Sequence, residues 1–239
     1  MVAIPLLTLV PGELGGSETY VRELLRSLAR VGAHDLRVVL PPAAPDAAEG
    51  LPSVVAPEYR EAHTIRERLL AMTLGAARPE ALRRHLGGAD VVHFPLTIDI
   101  PRTKLPTVVT LHDVQHLELP FMFSRAERMF RSVFWHGAVR RADRVIVMSE
   151  FVAGTAVRRL GVPREKLRVV PLGVDHERLR PAAAPREPFV LYPAKRWRHK
   201  NHDRLLEAFA LLRAERPELR LVLTGGGDFP EAPEGVDVR

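Results

Sequence analysis

The sequence contains no cysteine, which excludes disulfides and thiolate metal centres and is compatible with a reducing compartment. It has no Asp-x-Asp pair, so the carboxylate pair that chelates a metal on a sugar nucleotide is missing, and no metal or cofactor is expected. No apolar run approaches the roughly 20 residues of a membrane-spanning helix. The apolar stretch Val2–Val10 has neither a basic leader nor a small-residue cleavage site, so it reads as a first strand rather than a signal peptide. The glycines after it lack the G-x-G-x-x-G spacing. The next strand ends in Pro41 and Pro42 with no acid for a ribose, so a dinucleotide fingerprint is absent as well.

The 239 residues are 46% hydrophobic and 27% charged, enough for one large or two modest globular domains and unlike a disordered chain. Lys and Arg outnumber Asp and Glu by 35 to 29, a formal charge of +6. That excess suits an anionic ligand or an acidic membrane surface and identifies neither. No nucleic-acid partner is expected.

Strand and helix signals alternate along the chain. After Val2–Val10 and "PGELGG", Ser17 is predicted to cap a helix whose apolar face is Val21, Leu24, Leu25 and Leu28. "DLRVVLPP" is a second strand, followed by a Pro/Ala linker over 41–57. A basic amphipathic segment runs from about Tyr59 to Leu86 and breaks near Pro79. "ADVVHF" and "PTVVTLHD" are strands. Ser124 and Glu127 form a capping box for a helix ending near Arg141. "DRVIVMS" is a strand, Ser149 caps the next helix, and "EKLRVVPLGVD" is a further strand. The proline-rich stretch "RLRPAAAPREP" (178–188) reads as a linker. The alternation then restarts with a buried strand at Phe189–Tyr192, a helix at about His202–Glu215 and the strand "LRLVLTGGG". Such alternation predicts α/β architecture, a Rossmann-like parallel sheet with helices on both faces, followed by a second unit with only two or three strands. The domains are expected at 1–180 and 181–239.

Three places carry candidate chemistry. Gly15 and Gly16 join a strand to a helix, where N–H groups and the helix dipole favour an anion; a tight turn needing positive φ is the alternative. In "TLHDVQH", His112 and Asp113 follow a strand end, the edge where open α/β sheets place ligands. His112 and His116 are four apart, but a metal pair there has no third ligand. A capped loop histidine is the plainer reading for His112, and also for His93. In "YPAKRWRHKNH", Lys195, Arg196, Arg198 and Lys200 crowd four cations into six positions. Lys195 and Lys200 flank a strand-to-helix turn, a setting for a diphosphate; the alternative is a solvated basic loop, with Arg196 and Arg198 serving solubility. The segment 64–85, with Ile65, Leu69, Met72 and Leu82 among arginines, can lie on an anionic bilayer or pack its apolar stripe on the sheet.

Together, "PGELGGSETYVRELLRSLARVG", "TLHD", "RVIVMSEFVAGTAVRRLGVPREKLRVVPLGVD", "YPAKRWRHKNHDRLLEAF" and "LVLTGGG" resemble the retaining glycosyltransferase family 4, of GT-B fold. The resemblance implies a cytoplasmic enzyme, at the inner face of the membrane where basic segments meet lipid. It would move a sugar from a nucleotide-diphosphate donor to a carbohydrate or lipid-linked acceptor. The form "YPAKRWRHKNH" is similar to mannosyl- and rhamnosyl-type members, which suggests GDP-mannose. By the same resemblance Gly15 and Gly16 approach the donor diphosphate and His112 lies near the sugar. Lys195 and Lys200 hold the diphosphate on the family's Arg/Lys spacing, with Lys where Arg is usual and Arg196 sharing the role. The family's Glu-x7-Glu segment would fall beyond Arg239. The chain therefore reads as an N-terminal domain plus the opening of a C-terminal one, expected to be inactive alone. The alternatives are a sugar-nucleotide epimerase of the same fold and a non-enzymatic basic peripheral membrane protein.

Overall fold

The computed structural model describes residues 1–181, 187–226 and 232–239. Most of the 178–188 linker's centre and the last glycine of "TGGG", Gly227, lie outside them. The chain forms two compact units, Met1–Leu172 and Gly173–Arg239, divided eight residues before the expected boundary at 180.

The first unit is built on strands β1 (Val2–Pro5), β2 (Leu36–Leu40), β3 (Ser53–Val55), β4 (Val91–Phe94), β5 (Thr107–Leu111), β6 (Arg144–Val147) and β7 (Leu167–Val169). Its helices are α1 (Gly16–Val31), α2 (Ile65–Ala77), α3 (Pro79–Arg83), α4 (Gln115–Glu118), α5 (Arg125–Arg131), α6 (Gly137–Arg141) and α7 (Glu150–Thr155). The strands form one parallel sheet in the order β3-β2-β1-β4-β5-β6-β7. This is the expected Rossmann-like fold. Alternate residues feed two cores. Ile4, Val38 and Leu40 pack with Val21 and Leu25 of α1 on one face. Ala3, Val39, Val92, Val109 and Val145 pack with Met72, Leu82, Val139 and Ala153 on the other. Two-sided cover explains why these strands read as unbroken apolar runs.

Several local details differ from the sequence reading. The first strand ends at Pro5, which has no N–H to continue the ladder, and the chain turns with Leu9 N–H donating to Leu6 O at 2.8 Å. Ser17 does not cap α1. The helix starts two residues earlier, with Gly15 as its N-cap, at φ 55° and ψ −127°, a conformation suited to glycine. The 41–57 stretch is no extended linker: Ala44 and Ala47 are fully buried, and "SVV" forms edge strand β3, too short to show a periodicity of its own. The Ser124–Glu127 capping box and the Ser149 cap form as expected. From α5 the helix runs through a π-helical turn, Ser132–His136, into α6.

The second unit holds β8 (Phe189–Pro193), α8 (His202–Glu215), β9 (Arg220–Thr224) and β10 (Val236–Val238), a parallel sheet ordered β10-β9-β8. Its core is Phe209, Leu221 and Leu223 with Tyr192, Leu205 and Leu206 against them. The expected burial of the Phe189 strand does not hold. Phe189 and Leu191 are 43% and 51% exposed. β8 is an edge strand of this sheet, and these two side chains alternate with Tyr192, which packs into the α8-side core, so they lie on the opposite face.

Candidate functional site

Strand order in the first unit reverses direction between β1 and β4, and ligands of open α/β sheets gather outside the carboxyl ends of strands at such a switch. The candidates Gly15, Gly16 and His112 belong to this edge: the glycines end the loop after β1, and His112 follows β5. Gly15 supplies the positive φ that starts α1. Gly16 has no such duty, and a Cβ built on it would meet nothing within 4 Å. Glu18, in the first turn of α1, accepts from Gly12 N–H at 2.7 Å and pairs with Arg22 at 3.2 Å.

His112 is half-buried, and its Nε2 lies 2.8 Å from the carbonyl oxygen of Pro95 in the loop after β4. A carbonyl only accepts, so Nε2 carries the proton and Nδ1 keeps its lone pair. Burial lowers the pKa of His112, opposed by the Pro95 bond and by Asp113. The imidazole is therefore held neutral. Tyr20 of α1 stands edge-on to it, ring centroids 4.9 Å apart at 83°. Asp113 turns aside, accepting from Gln115 N–H at 3.2 Å and pairing with Arg131 at 3.3 Å. His116 joins neither residue. It is 2% exposed, and its Nε2 meets Nε2 of His136 at 2.8 Å. Burial, Arg131 and His136 push its pKa down to about 4, against the opposing charge of Asp113. No group of three or more potential metal ligands occurs among the described residues.

In the second unit a pocket of about 230 Å³ is lined by Lys195, Arg196, Trp197, Gly225 and Gly226. It sits at the carboxyl ends of β8 and β9. Ala194 N–H donates to Thr224 O at 2.9 Å and Arg196 N–H to Gly226 O at 3.2 Å, knitting the two loops together. Gly225 is obligatory: φ is +109°, and a Cβ would come within 2.8 Å of the Ala194 carbonyl carbon. The Lys195 ammonium is 5.9 Å from the Trp197 ring, and Arg196 pairs with Asp203 at 3.5 Å. Lys200 does not line this pocket. It ends a 3-10 turn, Arg198–Lys200, and its carbonyl accepts from the Tyr192 hydroxyl at 2.8 Å. The adjoining N-terminus of α8 has no side-chain cap.

A different cavity, of about 220 Å³, includes Thr107, Asp143, Asp99 and Arg141 in its lining. It opens at the amino ends of β5 and β6, away from the loops above, and its carboxylates are already bound by Arg141 and by the Thr107 N–H.

Residues 14–178 match the model of Glycosyltransferase Family 4. The chain belongs to this family. It is 27% identical, over 260 aligned positions, to a D-inositol 3-phosphate glycosyltransferase of Xylanimonas cellulosilytica, covering 90% of this chain and 59% of that protein. A Rickettsia africae glycosyltransferase structure matches all of this chain and 67% of its own, with TM-score 0.54 and 14% identity. A UDP-GlcNAc 2-epimerase from Methanocaldococcus jannaschii matches with TM-score 0.50 and 10% identity, over all of this chain and 72% of its own. Both structural likenesses concern the fold. Trp197, Gly226 and Tyr20 were not singled out from the sequence as site residues. The glycine run after a strand was the available sign for Gly226; nothing local marks the other two.

Proposed function

We propose that this chain serves transfer of a sugar from a nucleotide-diphosphate donor to an acceptor hydroxyl, with retention of anomeric configuration. The observation that carries the reading is the second-unit pocket, where two cations and the glycine-lined backbone after β9 meet at the carboxyl edge of a parallel sheet. Lys195 and Arg196 bind the diphosphate there. Lys200 and the uncapped start of α8 add positive charge on the same side of the chain's turn. These groups stabilise the negative charge that develops on the departing nucleotide diphosphate, a role that needs no proton transfer. Gly16, with open space over its α-carbon, admits a phosphate close to the backbone. Neutral His112 offers the Nδ1 lone pair to a sugar hydroxyl. GDP-mannose is the first donor to try.

Calorimetric titration with GDP and UDP tests the reading. One of the two should bind, and Lys195→Ala should weaken it by about 1.5–3 kcal/mol, the worth of a charge-assisted contact. Unchanged affinity in both Lys195→Ala and Lys200→Ala removes the assignment. Epimerisation of a sugar nucleotide without any acceptor would favour the alternative that the epimerase likeness in fold leaves open.

A lipid-side contact has its own support. On α2, Ala71 and Met72 face the core, while Leu69, Leu70 and Leu74 are exposed beside Arg66. The apolar stripe is thus only partly used by the sheet, and an amphipathic surface of this kind suits an anionic bilayer or a lipid-linked acceptor. Sedimentation with phosphatidylglycerol vesicles should carry the protein down, and Leu70→Gln with Leu74→Gln should release it. No helix among the described residues is long and apolar enough to cross a membrane.

A further inference from the structure

Beneath the strand ends that carry His112 runs a buried polar chain with no part in the roles above. Thr110 of β5 is fully buried, and its hydroxyl lies 2.9 Å from Nε2 of His93 on β4. Burial raises the pKa of the Tyr20 phenol, and the nearby Thr110 side chain opposes that rise. The Thr110 carbonyl accepts from the Thr97 hydroxyl at 2.6 Å. Thr97 is itself fully buried and held at φ +63°, an unusual backbone state for a β-branched residue that only its surroundings can sustain. Burial and the neighbouring His112 push the pKa of His93 down to about 4, so it is neutral near pH 7 and can take part in an ordered chain.

The consequence falls on Tyr20. A lone half-buried tyrosine on the second turn of a helix can rotate; this one has its ring edge-on to His112 and its hydroxyl near the buried Thr110. His112 is held in turn from two directions, by the Pro95 carbonyl and by that ring. These contacts join three segments far apart in sequence: α1, the loop after β4, and the end of β5. We propose that Tyr20 is a positioning residue for His112, braced through Thr110 and His93, and that it fixes the tautomer and rotamer with which His112 meets the sugar. The proposal rests on the reading of His112 as the sugar-contacting histidine.

The test has two readouts. Imidazole ¹⁵N and ¹³C spectra of the 239-residue chain should show His112 as the Nε2–H tautomer. Tyr20→Leu should move it towards a tautomer mixture with a raised pKa, because the ring that shields it is gone. Thr110→Val, which keeps volume and removes the hydroxyl, should do the same to a smaller extent, and it guards against a folding defect in the leucine variant. Tyr20→Phe, which keeps the ring and removes only the hydroxyl, should match Thr110→Val. In sugar-transfer assays of the protein, Tyr20→Leu should lower kcat about tenfold, with the donor KM within about twofold, as expected for lost orientation rather than lost binding. If His112→Ala leaves transfer unchanged, the sugar-contacting reading fails and the kinetic half of the proposal falls with it. If His112→Ala abolishes transfer while Tyr20→Leu and Thr110→Val leave both spectrum and kcat as in wild type, the positioning proposal alone is overturned.

Discussion

The two units use the same local vocabulary and reach different degrees of closure. In the first, "TVVTL" becomes β5, flanked by strands on both sides, with Val109 and Leu111 fully or almost fully buried. In the second, "FVLYP" becomes β8, at a sheet edge, with Phe189 and Leu191 about half in water. Both are apolar and of equal length. What differs is the number of neighbours each strand finds: a seven-stranded sheet with cores on both faces, against a three-stranded sheet whose core lies on the α8 side. An apolar run thus reports the capacity for burial, and the layers around it decide how much is realised.

The contrast should appear first in core truncations. Leu25→Ala removes a fully buried side chain from between α1 and the first sheet. It should cost about 2–5 kcal/mol, measured by urea unfolding of the first unit. A cost under about 1 kcal/mol would show that α1 is not anchored as described, and with it the approach of Tyr20 to His112.

Acid should separate the units next. His116 in the first unit has a folded pKa of about 4, below the usual 6.5. Its neutral form is the one the fold accepts, because only one of the two facing Nε2 atoms can carry a proton while the His116–His136 bond lasts. The stabilisation is therefore complete above the unfolded value near 6.5 and is lost as pH falls from there towards 4. Over that window His116 alone should remove roughly 3 kcal/mol, from about 1.4 kcal/mol per pKa unit. His93, lowered to about 4 by burial, adds in the same direction. Thermal unfolding between pH 7 and 4 checks this. A melting temperature of the first unit that is flat across the window, or a slope unaffected by His116→Asn, would contradict it.

Smaller still is the capping box at α5. Ser124→Ala removes an acceptor for the Glu127 N–H and should cost about 1 kcal/mol. The smallest effect belongs to the exposed strand: Leu191→Thr should change stability by no more than about 0.5 kcal/mol, since the side chain gains little on folding. A loss of several kcal/mol there would mean that β8 is covered in solution, erasing the difference between the units.

Most elements of the fold were legible in the sequence because their signals are local. Ser124 with Glu127, Ser149 before its helix, and the limits of α8 depend on residues within a turn of one another. β3 was missed, since three residues between prolines carry no measurable alternation and become a strand only by pairing Val54 with Val39. The start of α1 was misplaced by two residues, because a glycine at positive φ outcompeted the serine side chain for the N-cap.

The candidate site divides in the same way. Gly15, Gly16, His112, Lys195, Arg196 and Lys200 stood out by residue type and by place after strands. Their surroundings could not be read. That His112 turns Nε2 to Pro95, that His116 pairs with His136 instead, and that Gly225 fits against Ala194 are facts about residues 17 to 31 positions apart. Chain order and periodicity determined which segments become strands and helices and which residues sit at their ends. The tertiary structure alone decided which of those ends touch, which imidazole stays neutral and which apolar strand stays wet, because hydrogen bonds, desolvation and burial are settled by neighbours that only folding supplies.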